Sequence, residues 1–145
     1  MKSKELLFLS AACLVAVISC SSNNRDRQQK QMLPQVDSVI TSVTADAVTI
    51  NTTTISRDVI GFNGTTPVEI TLSKGKISGI RVLQNNETPS FLNRAQTVLN
   101  AFTGKTAKEG ANLAPDAVSG ATYSSKSLIT NVQRGLKYAS EHGIQ

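Results

Sequence analysis

The stretch from Thr66 to Leu83 most narrows what this chain can fold into. Val68, Ile70 and Leu72 alternate with polar neighbours, Lys74-Gly75 marks a tight turn, and Ile80 and Val82 share a face on the way back. Two strands joined by a short Gly-containing loop make a β-hairpin. Downstream, Phe91, Leu92, Ala95, Val98, Leu99 and Phe102 recur at helical spacing, with Gly104 as a stop. That stripe is expected to face a core. A second stripe, Leu128, Ile129, Val132, Leu136 and Ala139, predicts a final helix over Lys126 to Ser140, with Arg134, Lys137 and Glu141 in water. Between the stripes, Lys105 to Pro115 reads as a mobile connector. Upstream, residues 36–59 are rich in Val, Ile and Thr, which favour strands. Alternation there is only partial, so this stretch is either a β-rich connector or the first strands.

The beginning of the chain bounds the rest. Lys2 and Lys4 precede an apolar run from Leu6 to Ile18, and Ser19-Cys20 follows. A basic start, a short apolar core and a small residue at the cut describe a secretory signal over residues 1–19. Val17-Ile18-Ser19-Cys20 resembles a bacterial lipobox, which implies lipidation at Cys20 and an extracytoplasmic, lipid-anchored place in the cell envelope; the alternative is an ordinary signal peptide that happens to contain a Cys. Residues 20–35 then form a polar tether with nothing to bury. The chain has two cysteines. On the lipobox reading Cys13 leaves with the leader and Cys20 would be taken by lipid, so the remainder has no thiol for a disulfide, a nucleophile or a metal. His142, the single histidine, lies three residues from the end. A Ser-His-Asp triad and a His-rich metal cluster are thereby disfavoured, and demanding chemistry falls to a cofactor.

Charge points away from nucleic acid. The full chain carries 15 Lys and Arg against 10 Asp and Glu, a net +5; loss of Lys2, Lys4 and Glu5 leaves 13 against 9, or +4. The basic residues are scattered and aromatic residues are few. A solvated, mildly basic surface near anionic lipid is the expectation.

The chemistry concentrates in Asp116-Ala117-Val118-Ser119-Gly120-Ala121-Thr122-Tyr123-Ser124-Ser125, which runs from a loop ending in Pro115 into the last helical pattern. Gly120 permits a tight turn and a close backbone approach. The first turn of a helix has amides without partners and a partial positive charge. A phosphate placed there meets donors already aimed at it. Thr122 stands where a hydroxyl lies beside such a phosphate or becomes esterified to it. The plainer alternative is a Ser/Thr cap on a terminal helix.

The whole string resembles the flavinylation motif of the FMN-binding domain family, Asp-x-x-(Ser/Thr)-Gly-Ala-Thr. Asp116, Ser119, Gly120, Ala121 and Thr122 fill every specified position. That family includes the C and G subunits of sodium-pumping NADH:quinone reductase and of Rnf complexes. Gly61-Phe62-Asn63-Gly64 resembles the family's Gly-aromatic-x-Gly opening, and the Gly-Lys-Ile turn follows in order. Glu87-Thr88-Pro89-Ser90 is similar to the family's Glu-Thr-Pro-Gly loop, with Ser90 in place of Gly. Ser90 either carries a steric cost at a left-handed backbone angle or caps the next helix.

The resemblance implies an α+β fold, a small antiparallel sheet packed against two α-helices, with residues 60–145 forming the FMN-binding domain. It implies FMN held covalently by a phosphoester on Thr122 and attached by a separate flavin transferase that uses FAD. Ser119, Gly120 and Ala121 are expected to place amides around the phosphate, and Asp116 to help the transferase recognise or activate Thr122. Glu87 and Thr88 are expected to hydrogen-bond the flavin or its ribityl chain. The implied function is extracytoplasmic electron transfer between membrane-bound donor and acceptor proteins, by an electron-transfer domain and not a stand-alone catalyst. A non-covalent FMN-binding module and a structural lipoprotein without redox role are the alternatives.

Overall fold

The structure is a computed structural model and describes residues 39–145. The leader, Cys20 and the polar tether lie outside the described residues.

Four strands, β1 (Ile40–Val43), β2 (Ala47–Asn51), β3 (Val68–Ser73) and β4 (Lys76–Val82), form an antiparallel sheet in the order β1-β2-β3-β4. The β-branched stretch before Ile60 thus supplies two strands of the sheet. The β3–β4 hairpin turns through Lys74 (φ 50°) and Gly75 (φ 76°). Positive φ at both central residues matches the twist of the flanking strands.

Val68, Ile70 and Leu72 are completely buried on one face. Their partners on β4 are Val82, Ile80 and Ile77. Ile77 and Ile80 differ in parity, so strict alternation would send them to opposite faces. A register shift between Thr71 and Leu72 absorbs one residue and returns both to the same face. On the opposite face, Arg81 reaches across the strands to Glu69 at 2.8 Å.

Three α-helices follow: α1 (Pro89–Ala95), α2 (Ala107–Ala111) and α3 (Thr122–Glu141). The fold is α+β. The long helix α3 lays Leu128, Val132, Leu136 and Ala139, all fully buried, into the core with Ile50, Ile70 and Phe102. It lies so close to the sheet at Gly135 that a Cβ there would come within 2.7 Å of Ile70 Cδ1 and 2.9 Å of Thr52 Cγ2.

The stripe from Phe91 to Phe102 is not one helix. After Ala95 the chain tightens into a 3-10 helix, Gln96–Phe102, and Thr97 Oγ1 donates to Arg94 O at 2.8 Å where the winding changes. Val98, Leu99 and Phe102 remain buried. Gly104 (φ 79°) ends the run. The connector that follows carries α2, because Thr106 and Glu109 form a capping box: each side chain bonds the other's backbone amide. Two otherwise unpartnered donors are satisfied in this way.

A second stripe on α3 is polar and equally buried. Asn131 Nδ2 donates to Ser127 O at 2.9 Å and to Thr66 Oγ1 at 3.3 Å, while its Oδ1 accepts from Thr52 Oγ1 at 3.2 Å. Ser127 and Thr66 also share a hydrogen bond. The network joins α3 to the entry of β3, and Thr52 Oγ1 accepts from Val68 N–H at 2.9 Å. At the outer side, Arg134 grips both oxygens of Asp58.

Candidate functional site

A cleft of about 290 Å³ opens at the start of α3, lined by Phe62, Phe91, Gly120, Ala121, Thr122, Tyr123 and Ser124. Small-molecule clefts begin at about 300 Å³. Three pieces of chain build it: the Gly61–Gly64 turn, the first turn of α1 and the turn into α3.

Gly61-Phe62-Asn63-Gly64 closes on itself, with Gly61 N–H donating to Gly64 O at 2.7 Å and Ile60 bridged to Thr65. Phe62 projects from its tip and stays 61% exposed. The turn is fastened to the Glu-Thr-Pro loop. Asn63 Nδ2 donates to Asn86 O, and Asn63 N–H donates to Glu87 Oε1, both at 2.7 Å. Glu87 Oε2 accepts from Ser124 Oγ in the first turn of α3. Glu87 is therefore no solvated loop residue; it is 6% exposed and ties two walls of the cleft together. Gly61 has no room for more, because a Cβ would sit 2.6 Å from Glu87 Oε1.

Helix α1 starts with Pro89 after an extended Thr88. Proline suits this position because its missing N–H would have had no helical partner. Thr88 makes no side-chain capping bond, so its hydroxyl is not used by the helix. Ser90 lies inside the helix and does not cap it. Lys74 is the one non-glycine at positive φ among the described residues; Ser90 thus bears no left-handed strain. Phe91 packs against the core, as its stripe predicts, and has a second face. It is half-buried and lines the cleft, edge-on to Phe62 with centroids 6.0 Å apart and planes at 73°. Arg94 lies over the Phe91 ring, 5.6 Å from its centroid.

The entry to α3 is a turn closed by Ala121 N–H onto Val118 O at 3.0 Å, with Gly120 at φ 78°. Only glycine adopts that angle without a steric penalty. The Ala121 amide is thereby occupied. The first helical bond runs from Ser125 N–H to Ala121 O, and no side chain caps the helix. The amides of Thr122, Tyr123 and Ser124 precede the helical ladder and have no partner among the described residues.

The hydroxyls of this segment divide sharply. Ser124 is buried and bonded to Glu87; Ser125 is buried and its Oγ accepts from Val118 N–H at 3.2 Å. Ser119 is exposed on the turn. Thr122 is exposed on the cleft wall, and its hydroxyl has no hydrogen bond among the described residues. Asp116 is exposed in the loop before the turn. Thus Gly120, Ala121 and Thr122 meet at the cleft, Glu87 supports it from behind, and Thr88, Ser119 and Asp116 do not line it. Phe62, Phe91 and Tyr123 form its aromatic walls, and Tyr123 is 69% exposed. Phe62 had a visible signal, since an aromatic residue between two glycines has little local surface in which to bury.

A family model for the FMN-binding domain matches residues 61–137, just over half of the chain. The chain belongs to the FMN-binding domain family. No curated protein matches it. The matched stretch begins at the Phe62 turn, includes the whole cleft wall and ends on α3. The residues present suit FMN: aromatic walls for a planar ring system, free amides for a phosphate, and Arg94 at the rim as a permanent cation.

Proposed function

We propose that this FMN-binding domain carries its flavin covalently, through a phosphoester on Thr122, and passes electrons between membrane-bound partners outside the cytoplasm. One observation carries the assignment of Thr122. In the first turn of α3, Thr122 presents an exposed, uncommitted hydroxyl to the cleft, while Ser124 and Ser125 are buried and engaged. FMN, when bound, supplies transfer of one or two electrons. The protein's part is to bind, orient and shield.

The amides of Thr122, Tyr123 and Ser124, at the positive end of the helix dipole, receive the phosphate. Ser119, Gly120 and Ala121 shape the turn that brings them there. Attachment by a transferase using FAD joins Thr122 Oγ1 to the phosphorus on the FMN side and releases AMP. The hydroxyl proton passes to a base or metal-bound hydroxide of the transferase complex, and exposed Asp116 is the residue of this chain offered for recognition in that step. Phe62, Phe91 and Tyr123 exclude water from the ring. Thr88 lies outside the cleft lining and leads the chain into α1, and Glu87 acts through Ser124 and Asn63 by fixing the cleft walls.

The apolar leader and Cys20 support anchoring: lipidation at Cys20, with residues 20–35 as tether, keeps the domain at a membrane of the bacterial envelope. A covalent bond then keeps the flavin from diffusing away. Absorbance and intact mass of the protein made with a flavin transferase test the reading together. The expected result is a flavin band that survives denaturation and a mass increase of one FMN. A Cys20→Ser variant should lose its acyl chains and its membrane fractionation.

A further inference from the structure

The strongest unassigned group at the cleft is Arg94. Its guanidinium spreads over Phe91, a cleft wall, at 5.6 Å from the centroid. It also lies against the turn into α3, where a Cβ on Gly120 would come within 3.3 Å of its Nη1. Arg81 and Arg134 each hold a carboxylate. Arg94 makes no side-chain ion pair or hydrogen bond among the described residues, although it has five donors. Burial does not explain its placement, since it is exposed. A cation held by its ring contact, with no carboxylate as partner and beside the turn that carries Thr122, suits an anionic group at that turn.

We infer that Arg94 is the charged partner of the FMN phosphate, and that it makes the cleft select phosphorylated flavins over riboflavin. The inference rests on the proposed position of the phosphate at the start of α3. A phosphodiester on Thr122 keeps one negative charge, and free FMN brings up to two. Arginine's planar fork matches phosphate oxygens bidentately, whereas a lysine meets them only as a point charge. Stacking on Phe91 restrains the guanidinium before ligand arrives, so less freedom is lost on binding. Gly120 has a second use here, because a side chain at that position would press on Nη1.

The test uses the full mature chain carrying Thr122→Val, so that binding is reversible, with FMN and riboflavin titrated separately by flavin fluorescence. Arg94→Gln should weaken FMN by about tenfold or more, in the range of a lost charge-assisted contact, and leave riboflavin unchanged. Arg94→Lys should recover part of the FMN preference. Added salt should weaken FMN binding more steeply in the protein that keeps Arg94 than in Arg94→Gln, the slope difference reporting the charge. Equal losses for both flavins would assign Arg94 to packing on Phe91 and overturn the inference, as would an unchanged FMN-to-riboflavin ratio. In protein labelled by a transferase, the ³¹P resonance of the phosphodiester should move in Arg94→Gln; an unmoved resonance also overturns it. If the Thr122 protein accepts no covalent flavin but the binding ratio responds to Arg94, the attachment reading fails and this one stands. A chain that neither binds FMN nor accepts it refutes both.

Discussion

Replacing Gly61 with Ala probes how the cleft is held together. The added Cβ would lie 2.6 Å from Glu87 Oε1, 3.1 Å from its Cδ and 3.1 Å from Ser127 Oγ. Gly61 is not at positive φ, so the backbone accepts alanine and the penalty is one of packing. A carboxylate at the end of a free side chain would swing away at little cost. Glu87 is not free: Asn63 N–H and Ser124 Oγ hold its two oxygens, and the residue is buried. Overpacking costs about 1–3 kcal/mol, and the reduced freedom of the unfolded chain returns roughly 0.4–1 kcal/mol. A net loss of about 1–2 kcal/mol follows, which at about 4 °C per kcal/mol for a domain near 100 residues lowers Tm by about 4–8 °C. Thermal unfolding followed by circular dichroism, in a double-mutant cycle with Glu87→Ala, measures it. With the carboxylate gone only the approach to Ser127 Oγ remains, so Gly61→Ala should cost much less, giving a coupling of about 1 kcal/mol. Equal losses in both backgrounds would refute the steric argument and the role given to Glu87.

The core and the outer face offer further tests. Gly135→Ala should lower Tm more than Gly61→Ala, because its Cβ would strike Ile70 and Thr52 in the closed helix–sheet contact, and overpacking there costs roughly 2–3 kcal/mol. Asn131→Leu should cost about 1–3 kcal/mol in chemical unfolding, since partners on Thr66, Ser127 and Thr52 lose their hydrogen bonds in a buried place. The hydrogen bonds from Arg134 hold the Asp58 carboxyl below its ordinary value of 3.8. A depressed folded value means that the stabilisation is present above the unfolded value and is lost as pH falls through the folded one. Arg134→Gln should therefore lower stability slightly at pH 7 and make no difference well below pH 3.8; a difference that persists in acid would show that packing dominates.

What the sequence revealed was local. The β3–β4 hairpin was legible because Val68, Ile70 and Leu72 alternate within a few residues of a turn that demands positive φ. The order of elements around the motif, and Gly120 before Thr122, were legible for the same reason. The register shift between β3 and β4 was hidden, since it shows only when Ile77 and Ile80 are paired with residues on β3. Helix α2 had a readable signal in Thr106-x-x-Glu109, but Gly110 and the shortness of the segment spoke for a connector. The switch to 3-10 winding after Ala95 leaves Val98, Leu99 and Phe102 inside, so the apolar stripe alone does not distinguish it.

Residues whose roles depend on distant partners were misread or missed. Glu87 stands in a polar run, yet its partners are Asn63 and Ser124, far away in the chain. Ser124, Ser127 and Asn131 resemble a solvent face by hydropathy. Ser127 and Asn131 are buried because Thr66 and Thr52 meet them, and Ser124 because Glu87 does. Phe91 packs on the core as the helical stripe predicts, but its place in the cleft beside Phe62 was missed, and Arg94 reads in sequence as one of many scattered cations.

Covalent attachment at Thr122 is most directly tested by intact mass. The mature chain and its Thr122→Val, Thr122→Ser and Ser119→Ala variants are each made with a flavin transferase, denatured and weighed, with peptide mapping of any labelled product. Valine keeps the shape and removes the one atom able to form the ester, and the helix loses no capping bond because none is present. The account predicts one FMN on the parent chain and on Ser119→Ala, none on Thr122→Val, and partial labelling of Thr122→Ser. An FMN mass that persists in Thr122→Val, or maps to Ser119, Ser124 or Ser125, would contradict it.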